Sequence, residues 1–63
     1  MVKMVMHIIR EQQPISYWRA IQACLLRGMG VVRSKSIIAS LLEMGILVKD
    51  REWNLRLGNN DKE

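Results

Sequence analysis

Ser36-Ile37-Ile38-Ala39-Ser40-Leu41-Leu42-Glu43-Met44-Gly45-Ile46-Leu47-Val48 changes its hydrophobic period partway along. Ile38, Leu41 and Met44 fall on one line of a helix, flanked by Ile37 and Leu42, the spacing of a helix with one buried stripe. Gly45 stands where such a helix ends, because a terminal residue with positive φ favours glycine. Ile46-Leu47-Val48 is then a β-prone run. Lys49 to Glu52 reads as a polar turn. After it, Trp53, Leu55 and Leu57 alternate with Asn54 and Arg56, the period of a half-buried strand. Residues 46–57 are therefore expected to fold as a β-hairpin.

Working outward, the apolar turn Met29-Gly30-Val31-Val32 precedes that helix, which is expected over residues 33–44 with Ser34, or the residue before it, at its start. Gly28 stops a second helix whose N-cap is Ser16. Tyr17, Ile21, Cys24 and Leu25 share a face of it, with Trp18 beside them. Gln13 precedes a proline and is pushed toward an extended conformation, so the first element ends there. Residues 2–12 fit a helical stripe through Val2, Val5, Met6 and Ile9, and a strand alternation through Val2, Met4, Met6 and Ile8 equally well. Their Met, Lys, Arg, Glu and Gln content favours the helix. The expected order is helix, short extended link, helix, turn, helix, hairpin. That is one mainly α domain with a small β component over residues 1–58, followed by a frayed tail at 59–63.

A chain of 63 residues holds one domain, and 49% hydrophobic residues suffice for its core. The single cysteine, Cys24, excludes an internal disulfide, and with His7 it cannot supply the four ligands of a structural zinc. No metal or other cofactor is expected. No apolar run approaches the roughly 18 residues of a membrane span. Lys3 and His7 interrupt the first apolar stretch, so a secretory signal is not expected. The lone thiol then leans toward a cytoplasmic location. Gly28-x-Gly30 lacks the Gly-Lys-Ser/Thr ending of a phosphate loop, and Asp50 and Glu52 have no base or metal partner. An enzyme with a small-molecule substrate is therefore not expected.

The charge is more informative. Ten Lys and Arg against six Asp and Glu give +4. No acid occurs from Gln12 to Leu42, where Arg19, Arg27, Arg33 and Lys35 all lie. A one-signed field on part of a small domain is the footprint of a polyanion binder.

The element order resembles the winged helix-turn-helix family across residues 3–58. Ile8 to Ser16 looks like a first helix running into a short strand, and Tyr17 to Leu25 looks like the second helix. Ser36 to Val48 looks like the recognition helix entering the wing, and Trp53-x-Leu55-x-Leu57 resembles the return strand. Counted back from Gly45, Val32 stands where the family usually has a Ser or Thr cap, and Ser34 stands at a usually apolar position. The resemblance implies three helices plus a two- or three-stranded wing, with the third helix in the major groove of double-stranded DNA. It implies a small transcriptional regulator, sequence-specific or general, and a homodimer on paired half-sites.

On that reading Arg33 and Lys35 are the strongest candidate DNA contacts, with Ser36 and Ser40 hydrogen-bonding phosphates or bases. Lys49 and Arg51 at the hairpin turn, Arg56 on the return strand and Arg19 on the second helix are candidate phosphate contacts. Tyr17, Trp18 and Trp53 are expected inside, because a domain this small needs its large aromatics in the core. Cys24 reads as a small core residue, and His7 as a surface or structural one. The alternative is a protein–protein interaction winged helix acting as an assembly or adaptor module, supported by the surplus apolar residues Leu26, Met29, Ile37 and Leu42. A weaker third reading is a component that binds structured RNA through its backbone.

Overall fold

A computed structural model of the chain describes residues 2–58. The expected tail at 59–63 lies outside the described residues. Residues 2–12 resolve their two-way pattern as helix α1 (Val2–Gln12), with Val5, Ile8 and Ile9 buried at the three-and-four spacing of a helix. The helix stops at Gln13, whose peptide bond to Pro14 is cis. The Gln13 side-chain oxygen accepts the Leu57 amide at 2.9 Å and so ties the end of α1 to the far end of the sheet.

Strand β1 (Ile15–Ser16) leads directly into α2 (Tyr17–Leu26). Ser16 caps α2, its hydroxyl accepting the Arg19 amide at 3.2 Å. Ala20, Ile21 and Cys24 form the buried face. The helix ends on a turn with Gly28 at φ +91°, and the Met29 amide donates back to the Cys24 carbonyl at 3.1 Å. Met29 is thereby folded under the turn and buried.

Helix α3 (Val31–Glu43) begins two residues earlier than the sequence pattern suggests, with Gly30 as its N-cap and no side-chain cap. Ser34 is not the cap. It is fully buried on the core face, its hydroxyl donating to the Gly30 carbonyl at 2.8 Å one turn back. The apolar slot of the resemblance is therefore filled by a serine whose polar atom is satisfied within its own helix. Ile38 and Leu41 continue the buried line. Met44, the third residue expected there, is 62% exposed, because the helix closes at Glu43 and the chain turns through Gly45 at φ +79°.

Strands β2 (Leu47–Lys49) and β3 (Asn54–Leu57) complete a three-stranded antiparallel sheet in the order β1-β3-β2. Ile15 pairs with Leu55, and Leu47 with Leu57, on the inner face. Ser16 opposite Asn54 and Val48 opposite Arg56 lie on the outer face. The core forms where this inner face meets the three helices, around Ile9, Ile21, Ile38 and Leu55. The molecule is thus mainly helical, three helices with a small antiparallel sheet. No helix among the described residues is long and apolar enough to cross a membrane.

The aromatic residues are not in that core. Trp18 is 61% exposed, Trp53 is 45% exposed and Tyr17 is half-buried. The reason on α2 is that the small pair Ala20 and Cys24 carries the contact. They let the helix approach closely and turn the bulkier Trp18 and Leu25 outward. The hairpin turn is also displaced by one residue. Lys49 belongs to β2, and Trp53 belongs to the turn rather than to the return strand. Met29, read as surplus surface, is core.

Candidate nucleic-acid interface

The turn Asp50-Arg51-Glu52-Trp53 is held by one carboxylate. Asp50 Oδ1 accepts the amides of Glu52 at 2.9 Å and Asn54 at 3.0 Å, and Oδ2 accepts the Asn54 side-chain amide at 3.3 Å. The Asn54 backbone amide, above all, holds the Asp50 pKa below its ordinary value, with smaller help from the Asn54 side chain, the Glu52 amide and the Arg56 charge. Asp50 therefore organises the turn through hydrogen bonds. Trp53 completes the reversal at φ +63°, the left-handed position that glycine usually occupies in a hairpin of this kind. Its carbonyl accepts the Tyr17 amide at 2.9 Å, which fixes the turn against the start of α2.

That bond gathers three aromatic rings. Tyr17 meets Trp18 edge-on at 5.6 Å and Trp53 edge-on at 5.5 Å. Lys35, on α3, holds its ammonium 5.3 Å from the centre of the Trp18 ring. Lys49, on β2, holds its own 4.2 Å from the centre of the Trp53 ring. Both distances lie within the range of a cation–π contact. Between these groups runs an open groove of about 460 Å³ lined by Tyr17, Trp18, Ala39, Leu42 and Trp53.

The eight candidate contacts are all exposed, but they do not form one surface. On α3, helical spacing puts Lys35, Ala39 and Leu42 along the flank that borders the aromatic groove. Arg33, Ser36 and Ser40 follow the outward and opposite flank. Arg33 and Ser36 line a shallow depression with the α2–α3 turn. Ser36 and Ser40 line another with Val2 and Met44. Lys49, at the end of β2, stands over Trp53 beside the groove, and Arg51 follows it in the exposed hairpin turn. Arg56 is on the outer face of the sheet, and Arg19 lines a polar pocket there with Ser16 and Asn54. Arg33, Lys35, Ser36, Ser40, Lys49 and Arg51 thus belong to α3 and the hairpin tip, whereas Arg19 and Arg56 look another way.

Sequence reasoning missed the two indoles as surface groups. The buried line of α2 runs through Ala20, Ile21 and Cys24 and leaves Trp18 off it, a choice of face that helical spacing by itself does not make. Nothing in the sequence announced a tryptophan at positive φ. Among the described residues, no three His, Cys, Asp or Glu side chains gather as a metal-binding group. The chain has no significant match among models of known protein families, characterised proteins or solved structures.

Proposed function

We propose that the chain is a winged-helix module that binds double-stranded DNA, with α3 as the recognition helix and the β2–β3 hairpin as the wing. The element order and the β1-β3-β2 sheet are compatible with that arrangement. The observation that carries the reading is the solvent surface of α3. Arg33, Lys35, Ser36, Ala39 and Ser40 are all exposed, all cationic or small, and no acid appears until Glu43. A helix of 13 residues is about 20 Å long, and a major groove about 12 Å wide admits it. Arg33 and Lys35 then meet bases or phosphates near the helix start, and Ser36 and Ser40 offer hydroxyls further along. Lys49 and Arg51 at the wing reach the neighbouring backbone. Arg19 and Arg56 fall outside this footprint. The role that fits is a small cytoplasmic transcriptional regulator acting as a homodimer.

The test is fluorescence anisotropy on random duplex DNA over a salt series, with the wild type and with Arg33→Glu/Lys35→Glu. Affinity is expected to fall with a log–log slope of about 0.9 per phosphate neutralised. The double reversal is expected to abolish binding. Absence of any binding at low salt overturns the reading.

A specific observation favours a second reading, a protein-interaction winged helix. Leu26 is 88% exposed and Val32 is 81% exposed on either side of the α2–α3 turn, with Leu25 and Val31 beside them. Exposed apolar side chains of this size around one turn are where a second chain gains by covering them. Under this reading the charge reversal leaves partner binding and self-association intact.

A further inference from the structure

We propose that the groove between Trp18 and Trp53 is a stacking site for an unpaired nucleobase, so that the protein prefers duplex DNA carrying a single-stranded segment to blunt duplex. This rests on the nucleic-acid reading of α3, whose Ala39 and Leu42 form the floor of the groove.

Three observations carry it. The groove, at about 460 Å³, is of the size class of small-ligand sites, and three of its five lining residues, Tyr17, Trp18 and Trp53, are aromatic. Both indoles are substantially exposed, and each still has ring surface to offer beyond the one ammonium it carries. Trp53 is also held there at a backbone cost. A bulky side chain at φ +63° is strained, and a turn of this geometry accepts glycine with less strain. The Asp50 hydrogen bonds and the Tyr17–Trp53 bond over-determine the turn and keep the indole aimed at the groove.

Charge decides between aromatic-loving ligands. An aromatic cage for a quaternary ammonium is open to cations. Here Lys35 and Lys49 already hold ammonium groups over the rings, so a cationic ligand is repelled. A proline-rich peptide would stack on the rings but has no use for the lysines. A nucleotide uses both features: its base stacks on an indole while its phosphates take the two ammoniums. The acids nearby are Glu43, next to Leu42, and Glu52 in the turn, both exposed, and Asp50, which is engaged by the turn amides. Stacking on an indole tolerates any base, so the preference is for unpaired structure and not for sequence.

The full chain is titrated at one salt concentration with a blunt duplex, with the same duplex carrying a short thymidine overhang, and with a proline-rich peptide, following anisotropy and tryptophan fluorescence. The overhang is expected to bind between about five-fold and a hundred-fold more tightly than the blunt duplex and to quench the indoles. Trp18→Ala and Trp53→Gly are each expected to reduce that difference, with circular dichroism showing that both variants fold. Trp53→Gly suits the test because glycine accepts the turn geometry. Equal affinity and equal fluorescence for the two duplexes overturns the stacking site while leaving duplex binding standing. Binding of the peptide with quenching, and of neither duplex, overturns both readings and makes the groove a peptide site.

Discussion

The interior and the surface shared by α2, α3 and the hairpin tip are built from different side chains. The interior is aliphatic, with Ile8, Ile9, Ile21, Ile38, Leu41 and Leu55 all nearly inaccessible and no aromatic ring among them. The chain has two tryptophans, one tyrosine and no phenylalanine, and all three rings stand at that surface. An aromatic side chain brings 150–250 Å² of burial and is the largest single contribution available to a small core. Trp18 and Trp53, 61% and 45% exposed, leave much of that contribution unused by the fold.

The contrast is broken or sharpened first by truncation. Ile38→Ala is expected to cost about 2–5 kcal/mol, because the cavity it leaves is lined by packed neighbours. Trp18→Ala is expected to cost less than about 1 kcal/mol, as for an ordinary surface change. Urea unfolding of the two variants compares them directly. If Trp18→Ala approached the cost of Ile38→Ala, the indole would be serving the fold and the contrast would be lost.

Gly58→Ala asks how tightly the hairpin is clamped to the end of α3. Gly58 donates to the Ile46 carbonyl at 2.8 Å, and a methyl group added to it would run into the Gly45 carbonyl oxygen. That atom is backbone and cannot swing aside, so a loss of about 1–3 kcal/mol is expected, read as a lower thermal midpoint. A neutral result would mean the two chain segments part easily.

The smallest expected effect is at Asp50. Its pKa in the folded state lies below the ordinary 3.8, so its contribution is fully present above that value and is lost as the pH falls through the lower, folded one. Asp50→Asn is expected to lower the thermal midpoint modestly at neutral pH, and the wild type to converge on the variant in acid. Parallel curves at every pH would show that the charge on Asp50 contributes nothing to the turn.

The order of elements was legible because it depends on local signals. Ser16 as a cap, the proline after Gln13, the positive-φ glycines Gly28 and Gly45, and the change of period after Gly45 each act within a turn or two of chain. What was not legible depends on distance. Which face of α2 goes inward is decided by how closely Ala20 and Cys24 let it approach its neighbours, and period counting cannot weigh that against the size of Trp18. The start of α3 was hidden because Ser34 satisfies its hydroxyl on its own helix and can therefore be buried. The candidate cations are all exposed, but their division between faces follows from how α2, α3 and the sheet pack on one another, with the register of β3 placing Arg56 on the outer face, and no single segment carries that.

The sheet order has a consequence for how the molecule comes into being. The middle strand, β3, follows the other five elements among the described residues, and β1 and β2 each pair with it and not with one another. A ribosome working from the amino end therefore releases all three helices before any strand has a neighbour. Helices of 10 to 13 residues are marginal in water on their own. A nascent chain stalled ahead of Asn54 is expected to remain largely unstructured, and maturation becomes one late event triggered when residues 54–57 emerge.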